Sequence, residues 1–228
     1  MKYSIFLPVR KGSERIERKN TRDFSGIEGG LLKLKLKQLE GLPQNMEVII
    51  STNDEECLEI AGSFFKKIRN LRIIKRADRL GAANTPLKEL IKHAGEVSAA
   101  DFILWTHVTS PFCQNAEYLK AIREFEKGWD NDFDSLVSGK DYKEFLMDKS
   151  SLGIVNNNTA IAWPRTQDLP EWFEINNAIF LTSRANFCKG KRMGDKPKLL
   201  AQSKIVSLDI DYLDDFKIAE AVYDKYYK

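Results

Sequence analysis

Three short apolar runs, YSIFLP, MEVIIST and DFILWT, are bounded by turn residues, and each leads into a segment of helical periodicity. That alternation is the signature of βαβ units, and few architectures accommodate it. Between residues 54 and 69, Leu58, Ala61, Phe64, Phe65 and Ile68 fall on one helical face. Leu87, Leu90, Ile91, Ala94 and Val97 do the same after Thr85 and Pro86, a good N-cap and first-turn pair. Leu119, Ile122 and Phe125 mark a further helix, with Asn115 able to cap it, and Leu213, Phe216, Ala219, Val222 and Tyr226 mark a last one. The expected fold is α/β, a single domain over residues 1–228 with a mostly parallel sheet flanked by helices on both faces. Ligands then belong outside the carboxyl ends of the strands. From 133 to 194 the pattern breaks into short runs with turns at NNN and WPRTQDLPEW, which predicts an insertion there, a strand ribbon with a dimerisation arm.

Composition narrows the function. With 36 basic and 33 acidic residues among 228, the net charge of +3 is too balanced for a general nucleic-acid binder, so an anion site must come from local clustering. No interleaved aromatic and basic surface supports an RNA-binding module. Cys57, Cys113 and Cys188 lie far apart with no C-x-x-C pair, which speaks against zinc or a disulfide framework and for a reducing compartment. The apolar N-terminal run, broken by Pro8 and Arg10, is too short for a signal-peptide core, and no stretch reaches transmembrane length. A cytoplasmic protein with no membrane and no nucleic-acid partner is expected.

Three stretches can carry chemistry. The first, LPVRKGSERIERKN, places Arg10, Lys11, Gly12, Ser13, Arg15, Arg18, Lys19 and Asn20 directly after the first strand. A glycine turn lets backbone N–H groups approach a polyphosphate while Arg and Lys neutralise it. The plainer reading is a solvated basic loop, but attachment to a buried strand end favours a ligand. The loop is neither G-K-[ST] nor G-x-G-x-x-G, so nucleotide binding would rest on a different design. The second stretch, HVTSPF, begins at His107 after DFILWT; alone it is a strand-to-helix turn, and with His93 as the only other histidine a His-based metal site is remote. The third, SLDIDYLDDF, sets Asp209 and Asp211 two apart in an apolar run; in a strand such residues share a face, so two carboxylates converge and invite Mg²⁺. Helix capping is the alternative and accounts better for Asp214 and Asp215 than for Asp209.

Taken together these stretches resemble the CMP-sialic acid synthetases, the acylneuraminate cytidylyltransferases, and more loosely the enzymes that activate 3-deoxy-octulosonate. LPVRKGSERIERKN is similar to the family's A-R-x-x-S-K-x-x-x-x-K-N, with Arg10, Ser13, Lys19 and Asn20 in matching places. IIKRADRL resembles R-P-x-x-L, HVTSPF resembles Q-P-T-S-P, and PRTQDLP resembles R-x-Q-x-L-P. NNAIF resembles N-G-A-I-Y, and SLDIDYLDDFKIAE resembles the D-I-D segment, so the ordered series covers nearly the whole chain. The resemblance implies a nucleotidyltransferase, usually dimeric, that couples the anomeric hydroxyl of a sialic-acid-like nonulosonic acid to the α-phosphate of CTP with Mg²⁺, giving a CMP-sugar and pyrophosphate. It implies catalysis by Arg10, Lys19 and Asp211, with Gly12, Ser13, Asn20, Arg76 and His107 also on the nucleotide, Arg76 by the base. Arg165, Gln167, Asn176 and Asn177 would face the sugar acid, and Asp209 and Asp211 the metal.

The chain departs from that pattern at three places. His107 stands for Gln, Asn177 stands for the Gly of N-G-A, and LGAANT, with Ala83 and Asn84, lacks the acid of L-A-S-D-T. A histidine beside phosphate charge is expected to have a raised pKa and to make activity vary across neutral pH. Other readings are the same chemistry on another 2-keto-3-deoxy sugar acid or with another nucleotide, and a non-catalytic nucleotide sensor of the same fold.

Overall fold

A computed structural model describes every residue except 83 and 130, so Ala83 of the LGAANT departure lies outside the described residues. In chain order the elements are β1 (Tyr3–Val9), α1 (Gly30–Leu39), β2 (Glu47–Thr52), α2 (Glu55–Gly62), β3 (Leu71–Lys75), α3 (Leu87–Val97), β4 (Phe102–Trp105) and α4 (Asn115–Glu126). There follow β5 (Ser135–Tyr142), β6 (Trp172–Ser183), α5 (Arg184–Cys188), β7 (Pro197–Ala201) and α6 (Leu213–Tyr226). The strands form one sheet in the order β3-β2-β1-β4-β6-β5-β7. β1 pairs in parallel with β2 and β4, while β6 runs antiparallel between β4 and β5. The order therefore reverses between β1 and β4, and the crevice that opens where neighbouring crossovers leave in opposite directions is the natural ligand site of an open α/β sheet.

β1 is buried on both faces because a parallel sheet is covered twice. Ile5, Leu7 and Val9 join a core with α1, α2, α4 and α6, and Phe6 points the other way into a core with α3 and α5. α1 reads LLKLKLKQL, whose period-two alternation mimics a strand, yet it folds as a helix. Its core face takes Leu32, Leu36, Leu39 and also Lys35, whose ammonium is fully buried. Burial pushes that amine down to about 8, and it survives because its Nζ donates to the Ser110 and Cys113 carbonyls and to the Tyr118 hydroxyl at 2.7–2.9 Å. A helix on the first face thus pins the loop that leaves β4.

The expected helix at 54–69 is shorter than its periodicity indicated. α2 stops at Gly62, the Ser63 hydroxyl turns back to the Ile60 carbonyl, and a series of turns carries Phe64 and Ile68 inward while Phe65 is exposed. The α3 cap is Pro86 rather than Thr85, whose hydroxyl instead donates to the Arg79 carbonyl, and Gln114 rather than Asn115 caps α4. Of the stretch 133–194, both ends are structural: β5, β6 and α5 belong to the sheet and its cover. Beyond the Val137/Gly139 bulge and the last β7 pair at Gly139, β5 and β6 continue as a two-stranded ribbon from Lys140↔Glu174 to Tyr142↔Trp172, and the arm at 143–171 hangs from it. Met147, Leu152, Val155, Ile161 and Trp163 are exposed along that arm.

Candidate active site

A cavity of about 530 Å³ opens at the carboxyl ends of β1 and β4. Its basic wall is the loop after β1. Gly12 sits at φ 74°, a left-handed turn that favours glycine, and the loop is fastened by the Asn20 amide donating to the Arg10 carbonyl at 3.2 Å and by the Lys11 N–H donating to Asn53 Oδ1 at 3.0 Å. Arg10, Ser13, Arg15, Lys19 and Asn20 line the cavity. Gly12 does not: it shapes the turn, and Lys11 and Arg18 are also outside, Arg18 paired with Glu56. Arg76 enters from the segment after β3, buried, with Nε and Nη1 lacking any partner among the described residues. Burial and the nearby positive charge of Arg10 lower its pKa to about 10. Among the described residues Arg10 has only the exposed Glu14 at 3.4 Å to offset it, and a buried guanidinium with open N–H groups beside a second one is an arrangement that calls for an anion.

The acidic wall comes from the segment before α6. Asp209 and Asp211 both line the cavity, although they are not in a strand. The segment has no regular secondary structure, and it is pinned by Ile210, which is fully buried and donates its N–H to the Thr109 carbonyl at 2.9 Å. Lys19 Nζ donates to the Ile210 carbonyl at 2.7 Å and lies 3.7 Å from Asp211 Oδ1, with Arg15 at 3.3 Å from the same oxygen. Burial lowers the Lys19 pKa, against the pull of Asp211 and Asp209. Asp209 is shifted up by burial, with Thr109 and Asn177 acting the other way, and its buried Oδ1 has no hydrogen-bond partner among the described residues. Asp215 accepts from the Asp211 and Tyr212 N–H groups at 3.0 and 2.7 Å, so this carboxylate serves the start of α6 and neither Asp209 nor Asp211 is needed for it. Two hard oxygen donors, one of them orphaned, suit Mg²⁺ with substrate oxygens filling its remaining positions. Among the described residues no cluster of three or more His, Cys, Asp or Glu could cage an ion without such help.

The cytidylyltransferase family profile matches residues 5–209, from β1 to Asp209. The chain belongs to the cytidylyltransferase family. It is 24% identical over 235 residues to the pseudaminic acid cytidylyltransferase of Campylobacter jejuni subsp. jejuni serotype O:2, covering 98% of this chain and 97% of that one. The enzyme of the same name from serotype O:23/36 is 23% identical with the same coverage. In fold, the chain is similar to CMP:2-keto-3-deoxy-manno-octonic acid synthetase solved with CTP, at a TM-score of 0.68, 10% identity and 99% of each chain. The 4-diphosphocytidyl-2C-methyl-D-erythritol synthase of Anaerococcus prevotii follows at 0.65 and 12%, over 98% of this chain and 96% of that one. The chain is accordingly a nucleotidyltransferase of the cytidylyltransferase kind, and no helix among the described residues is long and apolar enough to cross a membrane.

Within this cytidylyltransferase the structure separates the sugar-side candidates. Asn177 lines the cavity at φ 58°, where the resembling family has glycine; asparagine is the side-chain-bearing residue that best tolerates this conformation. That kink interrupts the β5–β6 ladder, and Asn176 repairs it. Its Oδ1 accepts from the Ala178 N–H at 3.1 Å and from Ser138 Oγ at 2.7 Å, and Ser138 in turn accepts from the Ile179 N–H at 2.8 Å. Its Nδ2 donates to Gln202 and Ser207. Asn176 is therefore spent inward and does not line the cavity, contrary to the sequence expectation. Arg165 and Gln167 also lie outside the cavity of their own chain: both are exposed in the arm, and Arg165 forms a fork on Asp168, at 2.7 and 3.0 Å.

His107 does line the cavity, but its expected raised pKa is overturned. Burial, with the positive charges of Arg192, Lys19 and Lys35, depresses it to about 3. The Trp105 indole N–H donates to His107 Nε2 at 2.7 Å, which puts the ring proton on Nδ1. A neutral ring with one fixed donor offers the same kind of hydrogen bonding as the amide of glutamine. Sequence reading missed Arg192, which sits in the charge-rich stretch KGKRMGDK where nothing distinguishes one cation from another, and it missed the buried tether Lys35.

Proposed function

We propose that this cytidylyltransferase joins CTP to a sialic-acid-like nonulosonic acid, giving a CMP-sugar and pyrophosphate. The observation that carries the reading is the cavity itself, in which Arg10, Arg15, Lys19 and the unpartnered Arg76 face Asp209 and Asp211. The pseudaminic acid cytidylyltransferases, similar over almost the full length, support the choice of an acidic nine-carbon sugar. In this reading Arg10 and Lys19 neutralise the phosphates, Ser13 adds a hydrogen bond, Arg76 and His107 face the nucleotide, and Asn177 faces the sugar. The anomeric oxygen attacks the α-phosphorus, the bond to the β-phosphate oxygen breaks, and pyrophosphate departs with the electron pair while the hydroxyl proton passes to water. Charge growing on the phosphate oxygens meets the fixed Lys19 and Arg10. Asp209 and Asp211 are the residues that would hold Mg²⁺, whose charge would add to theirs.

The reading extends to a cytoplasmic homodimer. The exposed apolar side chains of the arm are the surface that a second copy would cover, and Arg165 and Gln167 ride on the same element. A pyrophosphate-release screen of the four nucleoside triphosphates against sialic, legionaminic, pseudaminic and octulosonic acids tests the reaction. Release with CTP and a nonulosonic acid is expected, and release with the octulosonic acid alone replaces the sugar. Sedimentation velocity tests the dimer, and a monomer at micromolar concentration would remove it.

A further inference from the structure

A second recess of about 500 Å³ adjoins the larger cavity, and two residues, Asn177 and Arg192, line both. Its other walls mix apolar surface from Ile175, Phe180 and Met193 with polar ends from Lys191 and Asp195. Lys191 and Asp195 are paired at 3.2 Å, so they satisfy each other. Arg192 has no acid within 4.0 Å and no hydrogen bond among the described residues. Its guanidinium carbon lies 3.9 Å from the centre of the Phe180 ring. A cation seated over a ring in this way is held in place while its N–H groups remain unclaimed, and a guanidinium so held can meet a carboxylate with two parallel hydrogen bonds.

The loop that carries Arg192 is held at both ends. The Gly190 and Lys191 N–H groups donate to the Phe187 and Asn186 carbonyls at 2.7 and 2.9 Å. On the far side the Gly194 N–H donates to Ser135 Oγ, and Asp134 accepts from the Asp195 and Lys196 N–H groups at 2.8 and 3.0 Å. A cation that is half-buried, seated over an aromatic ring, unpaired among the described residues and mounted on a fastened loop is preorganised for an anion. In the proposed reading the triphosphate takes the loop after β1, whereas Arg192 stands where the cavity joins the recess and so is placed for a second anionic group.

We infer that Arg192 receives the carboxylate of the acidic sugar and that the adjoining recess, walled by Ile175, Phe180 and Met193, takes the rest of that sugar. The inference rests on the proposed reaction and deepens it, assigning carboxylate recognition to a residue of this chain's own cavity rather than to Arg165.

The test measures pyrophosphate release with CTP and pseudaminic acid for the wild type, Arg192→Gln and Arg192→Lys, with CTP affinity measured separately by calorimetry. Arg192→Gln is expected to raise the sugar-acid KM about tenfold or more, with Arg192→Lys between it and the wild type and CTP affinity within about twofold. Unchanged melting temperatures separate this from a folding defect. A sugar KM within about twofold of wild type in Arg192→Gln overturns the assignment, and so does a parallel loss of CTP affinity, which would give Arg192 to the triphosphate. If the wild type turns over the octulosonic acid in place of any nonulosonic acid, the substrate reading fails while the same variants decide Arg192 on that acid. A wild type inactive with every acidic sugar overturns both.

Discussion

The two walls of the cavity are built in opposite ways. The basic wall is one contiguous loop, residues 10–20, that follows directly from β1, closed on itself by Asn20 on the Arg10 carbonyl and anchored to Asn53 and Ile210. The opposite wall is assembled from Thr109 after β4, Asn177 in β6, Arg192 after α5, and Asp209 and Asp211 before α6. A contiguous wall keeps its chemistry legible in a single motif. A composite wall depends on register, bulges and loop anchors, so a residue there can carry the right name and still point elsewhere. Asn176 and Asn177 are adjacent, yet one patches the ladder and the other lines the cavity.

The largest effect should come where the two walls act on the same atoms. Asp209→Asn or Asp211→Asn is expected to lower kcat by about two orders of magnitude or more, because each removes a carboxylate that would hold the cation needed to offset charge on the phosphate oxygens. The fold should persist, since Asp215, not Asp209 or Asp211, supports the start of α6. Steady-state rates beside a thermal melt check both halves. Turnover that survives both substitutions would separate the composite wall from the chemistry.

Within the contiguous wall, Lys19→Ala should weaken CTP binding about tenfold to a hundredfold, the worth of a charge-assisted hydrogen bond, while Lys11→Ala changes it less than about twofold. The contrast follows from placement: Lys19 is tucked between the Ile210 carbonyl and Asp211, and Lys11 points away from the cavity. Equal affinities in calorimetry would mean that the loop acts through its summed charge rather than its geometry.

Much of the fold was legible because period and turn chemistry decide it. β1, β2 and β4 and the faces of α3, α4 and α6 follow from local pattern alone. α1 was not legible: Leu and Lys alternate with a strand's period, and only the buried acceptors from Ser110, Cys113 and Tyr118 make a lysine acceptable on the core face. β5 and β6 were hidden for a different reason, since the bulge at Ser138 and the kink at Asn177 break the alternation that marks a strand. Of the site, the basic loop and the paired aspartates could be read, whereas Arg192 acquires meaning only through the Phe180 ring beneath it.

The composite wall predicts a division between stability and catalysis. Asn176→Ala leaves the Ala178 N–H and Ser138 without their acceptor in a buried setting and should cost about 1–3 kcal/mol in a denaturant titration. Arg165→Ala removes a solvent-exposed fork to Asp168 and should leave the melting temperature unchanged. If Asn176→Ala is as stable as wild type, the repair of the β5–β6 ladder is carried by Ser138 alone.

The smallest expected effect concerns His107, where the two walls meet. Its folded-state pKa of about 3 lies below the ordinary value of 6.5, so folding favours the neutral ring. That contribution is complete above about pH 6.5 and is lost as the pH falls from there toward 3, because the unfolded chain binds the proton first. Between pH 8 and pH 6 the loss amounts to only about 1 kcal/mol. In the same window the ring never charges in the folded protein, so whatever His107→Gln does to the absolute rate, the shape of the pH–rate profile should match the wild type. The stability of His107→Gln should lack this share of the acid-side decline, since a neutral amide has no proton to bind, while the share of His93, whose pKa burial also lowers, remains. A profile whose shape changes between pH 6 and 8 on this substitution would show a histidine that titrates in the folded enzyme, and with it a cavity more open to water around Trp105 than the structure has.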